Sequence, residues 1–152
     1  MNGERAYLAS LFSFLLLFST FRADYDAVWE AALKALAKAD IPVSIADRDR
    51  GEIASSRHLR GDEIHALAFF PTYGRDFLWG LGQLRLNLKR VDDKVRVEVS
   101  QRVTAYTTFH RGFSFLLRSR RPVPLKLPEY IEGRSLGVTE SYLLKEMEGL
   151  LR

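Results

Sequence analysis

The sequence predicts a two-layer α+β domain, with an N-terminal and a C-terminal helix packed on one face of an antiparallel sheet. Three observations carry this. Tyr25, Val28, Trp29, Ala32, Leu33 and Leu36 recur at steps of three and four, which places them on one helical face. Leu84, Leu86 and Leu88, then Val95, Val97 and Val99, alternate with polar residues, the period of a hairpin with one buried face. Leu143, Leu144, Met147, Leu150 and Leu151 form a second helical stripe. Two striped helices and a sheet with one apolar face satisfy one another.

The first helix starts at Asp24, whose carboxylate suits a free backbone N–H, and Asp26 adds charge that the helix dipole favours. Pro42 forbids continuation and pushes Ile41 to an extended shape. A half-buried strand is expected over Val43-Ser44-Ile45-Ala46, and another over Glu52 to Arg57. Asp47-Arg48-Asp49-Arg50-Gly51 is the turn between them, with Gly51 left-handed.

Leu59 to Leu81 reads as a short strand and a flexible loop rich in aromatics. Phe69, Phe70, Tyr73, Phe77 and Trp79 either pack over one end of the sheet or form an exposed contact surface for a partner. The hairpin of Gln83 to Tyr106 turns at Val91-Asp92-Asp93-Lys94, and Gln101, polar in the inward phase, marks a bulge or the sheet edge. Residues 107–134 read as an insert, a turn plus a short strand. Pro122, Pro124 and Pro128 forbid regular structure after it. The closing helix runs from Val138 to Leu151 with Thr139 as its cap.

The N-terminus carries a second message. Ala6 to Phe21 is nearly unbroken apolar sequence behind Arg5, the order of a secretory signal, and it is short for a stable transmembrane helix. The expected organisation is a signal or membrane-anchor segment over 1–23 and a single domain over 24–152. Cutting after Ala23 would leave bulky Phe21 three positions back, a poor processing site.

Composition narrows the chemistry. The chain has 152 residues, 47% hydrophobic and 28% charged, as a folded domain should. A net charge of +4 leans weakly to anionic partners. The absence of cysteine excludes disulfides, thiolate metal sites, cysteine catalysis and lipid attachment through cysteine. Asp47, Asp49, Asp92 and Asp93 lie in turns, where Asp serves the backbone. His58 and His65 are seven apart and His110 stands alone, which is no zinc pattern. Gly80-Leu81-Gly82 lacks the third glycine of a phosphate loop. No catalytic residue, metal or cofactor is expected. Arg118, Arg120 and Arg121, with Arg111 and Lys126, form the strongest basic cluster, either a solvated loop or a contact for anionic lipid headgroups. The outward strand positions are Arg, Asn, Lys, Glu and Ser, which give nucleic acid no stacking platform.

The run Tyr25-Asp26-Ala27-Val28-Trp29-Glu30-Ala31-Ala32-Leu33-Lys34-Ala35-Leu36, followed by Asp47-Arg48-Asp49-Arg50-Gly51-Glu52-Ile53, resembles the helix-grip domains of the BamC (NlpB) lipoprotein family. Trp79, Gly82, the alternating leucines, the Asp92-Asp93 turn, the valine strand and the last helix are also similar. The resemblance covers Asp24 to Arg57, Gly82 to Val103 and the C-terminal helix. It implies a helix-grip-like fold in a periplasm-facing, membrane-attached accessory domain of bacterial envelope assembly, without catalytic residues. Three departures stand out. Thr20 occupies the place of the lipid-bearing cysteine, one grip-type domain is present instead of two, and the 107–134 insert has no counterpart.

The expected function is therefore a non-enzymatic cell-envelope domain, attached through residues 6–21 or exported, that binds another envelope protein. The alternative is a small-molecule or lipid-binding module with a cavity between helix and sheet. A deep apolar cavity lined by Trp29, Phe69 and Trp79 would favour the second, and a filled core with exposed aromatics the first.

Overall fold

A computed structural model describes residues 8–9, 15–70, 77–115 and 122–152, with side chains over 16–70, 77–107 and 130–152. The chain is α+β, an antiparallel sheet against helices. In order the elements are β1 (Leu8–Ala9), β2 (Leu15–Phe21), α1 (Tyr25–Lys38), β3 (Ile45–Asp47) and β4 (Glu52–Arg60). Then come α2 (Gly61–Leu67), β5 (Ala68–Phe69), β6 (Phe77–Val91), β7 (Lys94–Phe115), β8 (Pro122–Ser135) and α3 (Val138–Leu150).

The axis of the sheet is the β6–β7 hairpin, closed by Asp92 and Asp93 with Asp92 at φ 56°. β4 and then β3 continue the sheet beyond β6. The other edge of β7 is shared. β2 pairs with Val95 to Ser100, and β8 pairs with Val103 to Phe115. Gln101 sits in regular register opposite Leu84, so it marks no bulge. It marks the place where the second partner of β7 changes.

That gap is filled from α3. Glu140 is fully buried, and its Oε1 accepts a 2.6 Å hydrogen bond from the Ser135 hydroxyl. Its carboxylate also lies against the Gln101 backbone N–H. Burial raises the Glu140 pKa, while the Ser135 and backbone hydrogen bonds pull it down. The cap expected at Thr139 is absent. The helix enters through Gly137 at φ 74°, whose N–H donates to Ser135 Oγ at 3.1 Å. Thr139 is turned inward and buried instead.

The core has two parts on the same face of the sheet. The larger joins Leu17 and Phe21 of β2, Val28, Trp29, Ala32, Ala35 and Leu36 of α1, and Leu143, Leu144 and Met147 of α3. It rests on Ile53, Leu84, Leu86, Leu88, Val95, Val97 and Val99 of the sheet. Asp24 caps α1 as expected, accepting the Ala27 N–H at 2.8 Å. The smaller cluster lies under α2 and consists of Leu59, Ile64, Ala68, Val103 and Ala105.

Four expectations are corrected. Leu15–Phe21 is a strand with two residues in the core, so the fold begins before Asp24. On its outward side Phe18, opposite the core, lies under the Arg96 guanidinium at 4.0 Å. Gly61–Leu67 is a short helix where a loop was expected, and Glu63 accepts the Arg60 N–H at 2.8 Å. The insert is a long antiparallel pair, because Pro122, Pro124 and Pro128 share one phase of β8 and so spare one ladder edge. Finally, β3 is only three residues long, and Ile45 is 54% exposed rather than half-buried.

Candidate functional site

The open face of the sheet, opposite all three helices, is charged over its first half. Arg85 pairs with Glu52 at 3.3 Å, while Lys89 at 3.4 Å and Arg96 at 3.1 Å share Glu98. Such solvent-facing pairs contribute roughly 0–1 kcal/mol each.

The second half is different. Cross-strand register aligns Arg60, Trp79, Tyr106 and Tyr130 across four strands. His58 stacks on Trp79 at 5.1 Å, and Trp79 stacks on Tyr106 at 5.3 Å. Tyr130 closes the row, 5.0 Å from Tyr106 and edge-on to Trp79 at 5.9 Å. Tyr130 is 64% exposed and His58 is exposed, with Trp79 and Tyr106 half-buried between them. Arg102 pairs with Glu132 at 3.0 Å beside the row, and Arg60 with Asp62 at 3.0 Å beyond it.

A bulge aims Trp79 outward. The register shifts between Phe77 and Trp79, which leaves Leu78 as the extra residue. Phe77 therefore turns inward against Phe70 and His65, both at 4.6 Å, while Trp79, two residues on, faces solvent. Without the bulge, residues two apart would share a face.

The aromatics expected to act together are thus divided. Phe70 and Phe77 pack on the smaller core and serve the structure. Phe69 is 59% exposed, opposite Arg134 across the β5–β8 pair. Trp79 belongs to the open-face row. Tyr73 lies outside the described residues, as do Arg118, Arg120 and Arg121, and the side chains of Arg111 and Lys126. The expectation that the outward face lacks aromatics is corrected by Trp79, Tyr106 and Tyr130. Tyr106 was visible as the outward phase of its strand. Tyr130 was hidden because its segment read as irregular.

The acidic turn residues and the histidines do not converge on one site among the described residues. Asp47 Oδ1 accepts the Arg50 N–H at 3.0 Å in its turn. His58 and His65 point to opposite faces of the sheet, one against Trp79 and one against Phe77. Trp29 is 5% exposed within the larger core, so Trp29, Phe69 and Trp79 line no common cavity. No helix among the described residues is long and apolar enough to cross a membrane. A scan against protein-family models and a search of curated proteins both find no match for this chain.

Proposed function

We propose that this chain is a non-enzymatic accessory domain that binds another protein through the aromatic half of its open sheet face. The observation that carries the reading is the row His58–Trp79–Tyr106–Tyr130, built across four strands on the face that the helices leave uncovered. Tyr and Trp dominate the energetic centres of protein interfaces because each buries a large rigid body and keeps a polar tip. The flanking ion pairs suit a solvated rim. A single-stranded nucleic acid would need ring faces to stack on. Here the faces of His58, Trp79 and Tyr106 are turned largely to one another, with interplanar angles of 18° and 22°. Ring edges and hydroxyls remain for a partner, which suits protein.

The setting we propose, the bacterial cell envelope facing the periplasm, rests on the resemblance to the BamC family. Leu17 and Phe21 belong to the core, so residues 6–21 cannot all lie in a bilayer while the sheet is intact. Any attachment has to leave β2 in place.

The test is a photo-crosslinking amino acid placed at Tyr130 of the full chain in its native host, with Tyr142 on α3 as the control. A single protein adduct from Tyr130 alone is expected. No adduct, or the same adducts from both sites, would remove the protein-binding reading. Fractionation of the same cells tests the setting separately: envelope fractions are expected, and a wholly soluble cytoplasmic protein would overturn the envelope placement alone.

A further inference from the structure

A cavity of about 320 Å³ opens at the other end of the domain, where the β3–β4 turn meets the head of α1 and the end of β6. It is lined by Tyr25 and Asp26 of α1, Arg48, Asp49, Arg50 and Gly51 of the turn, and Leu88 and Arg90 of β6. The lining thus brings together three arginines from two elements and two aspartates.

Their pairing is unequal. Arg48 is taken by Asp26, and its carbonyl accepts the Tyr25 hydroxyl at 2.9 Å, which ties the turn to the helix. Arg50 is held loosely, its Nε 3.6 Å from Asp47. Arg90 lies over the Tyr25 ring at 4.8 Å and has no carboxylate within ion-pair distance among the described residues. The ring fixes the cation without neutralising it. Asp49 sits on the same rim and opposes an anion, which makes it a useful control.

We propose that this cavity binds a phosphate-type oxyanion between Arg50 and Arg90. Planar guanidiniums match tetrahedral oxyanions through paired N–H donors. The group would be a free phosphomonoester or a phosphate in a lipid headgroup. The site is separate from the open-face row. Trp79 and Arg90 lie on one strand, eleven residues apart, which is roughly 36 Å at about 3.3 Å per residue.

The experiment is an NMR titration of the full chain with inorganic phosphate at constant ionic strength, reading the arginine Nε–H signals, with chloride as control. Saturable shifts at Arg50 and Arg90 are expected with millimolar affinity. Arg90→Ala should weaken binding about tenfold, as loss of a charge-assisted contact does. Asp49→Asn should tighten it a few-fold by removing the opposing charge. Both side chains are on the surface, and an unchanged amide spectrum checks the fold. Non-saturable shifts, shifts matched by chloride, or an Arg90→Ala variant that binds like the parent would overturn the proposal. A second arm floats the protein with phosphatidic acid or phosphatidylcholine vesicles. Given phosphate binding, flotation only with phosphatidic acid and only with Arg90 present assigns the site to a lipid headgroup. Absence of flotation assigns it to a free phosphate ester.

Discussion

The two halves of the sheet solve the same packing problem in different ways. Under α1 and α3 the inward positions of β6 and β7 are Leu84, Leu86, Leu88, Val95, Val97 and Val99, and the helices bring large side chains to meet them. Under α2 the inward positions shrink to Gly80, Gly82, Val103 and Ala105, with Gly133 beside them, and the covering element reaches in. A Cβ at Gly80 would lie 2.8 Å from Ile64 Cδ1, and one at Gly133 would lie 2.4 Å from the Phe70 ring. The open face changes over the same stretch, from ion pairs around Glu98 to the rings of Trp79, Tyr106 and Tyr130. The second partner of β7 changes there too, from β2 to β8. One half is a broad aliphatic core with a solvated back. The other is a thin core backed by aromatic surface, the combination suited to contact with something else.

Deep truncation separates the halves most strongly. Leu36→Ala in the larger core should cost about 3–5 kcal/mol, because the rigid aliphatic surroundings cannot collapse into the hole. Ile64→Ala should cost about 2–3 kcal/mol, since α2 has only seven residues and can settle. Urea unfolding measures both. Equal costs would mean that the smaller core is as rigid as the larger.

Filling the glycine positions is expected to have the next largest effect. Gly80→Ala should cost about 1–3 kcal/mol in any background, because the new Cβ also meets the Thr104 carbonyl at 2.8 Å. Gly133→Ala should cost a similar amount in the parent and much less in a Phe70→Ala background, where the opposing ring is gone. A double-mutant cycle that shows no coupling would rule out ring insertion as the packing mode.

The seam between the halves should respond to pH. Burial raises the Glu140 pKa, so the folded chain holds that proton more tightly than the unfolded chain. Its stabilising contribution is fullest below the ordinary carboxylate range and is lost as pH rises through the raised value. Glu140→Gln retains a group that can bond Ser135 and cannot ionise. It should match the parent near pH 4 and exceed it in stability near pH 7. A variant less stable than the parent at neutral pH would show that the charged carboxylate is the form the seam requires.

How much of this was readable in the sequence follows from the range of the forces involved. α1, α3 and the β6–β7 hairpin were legible because a stripe or an alternation is a local record of which face is buried. The turn at Gly51 was legible because its φ of 69° suits few residues but glycine. α2 was not, since it buries only Ile64 and is too short to show a period. β8 was hidden by prolines that break a ladder on one edge only. β2 was hidden inside the apolar run from Ala6 to Phe21, where Phe18, covered by Arg96 from a distant strand, puts an apolar residue in the outward phase. The aromatic row was half visible. Trp79 was singled out as a contact residue, but its neighbours Tyr106 and Tyr130 are 24 positions apart in the chain, and only the register of two long strands brings them together.

The most direct test of the open face as the working surface is one double variant, Trp79→Ala with Tyr130→Ala, read by two measurements on the same sample. A photo-crosslinker at Thr104, on the same face, reports the partner, and thermal unfolding reports the fold. Loss of the adduct with a midpoint only a few degrees below the parent is the expected result. An adduct that persists, or a midpoint that falls as far as that of Leu36→Ala, would show that the row holds the sheet together instead of meeting a partner.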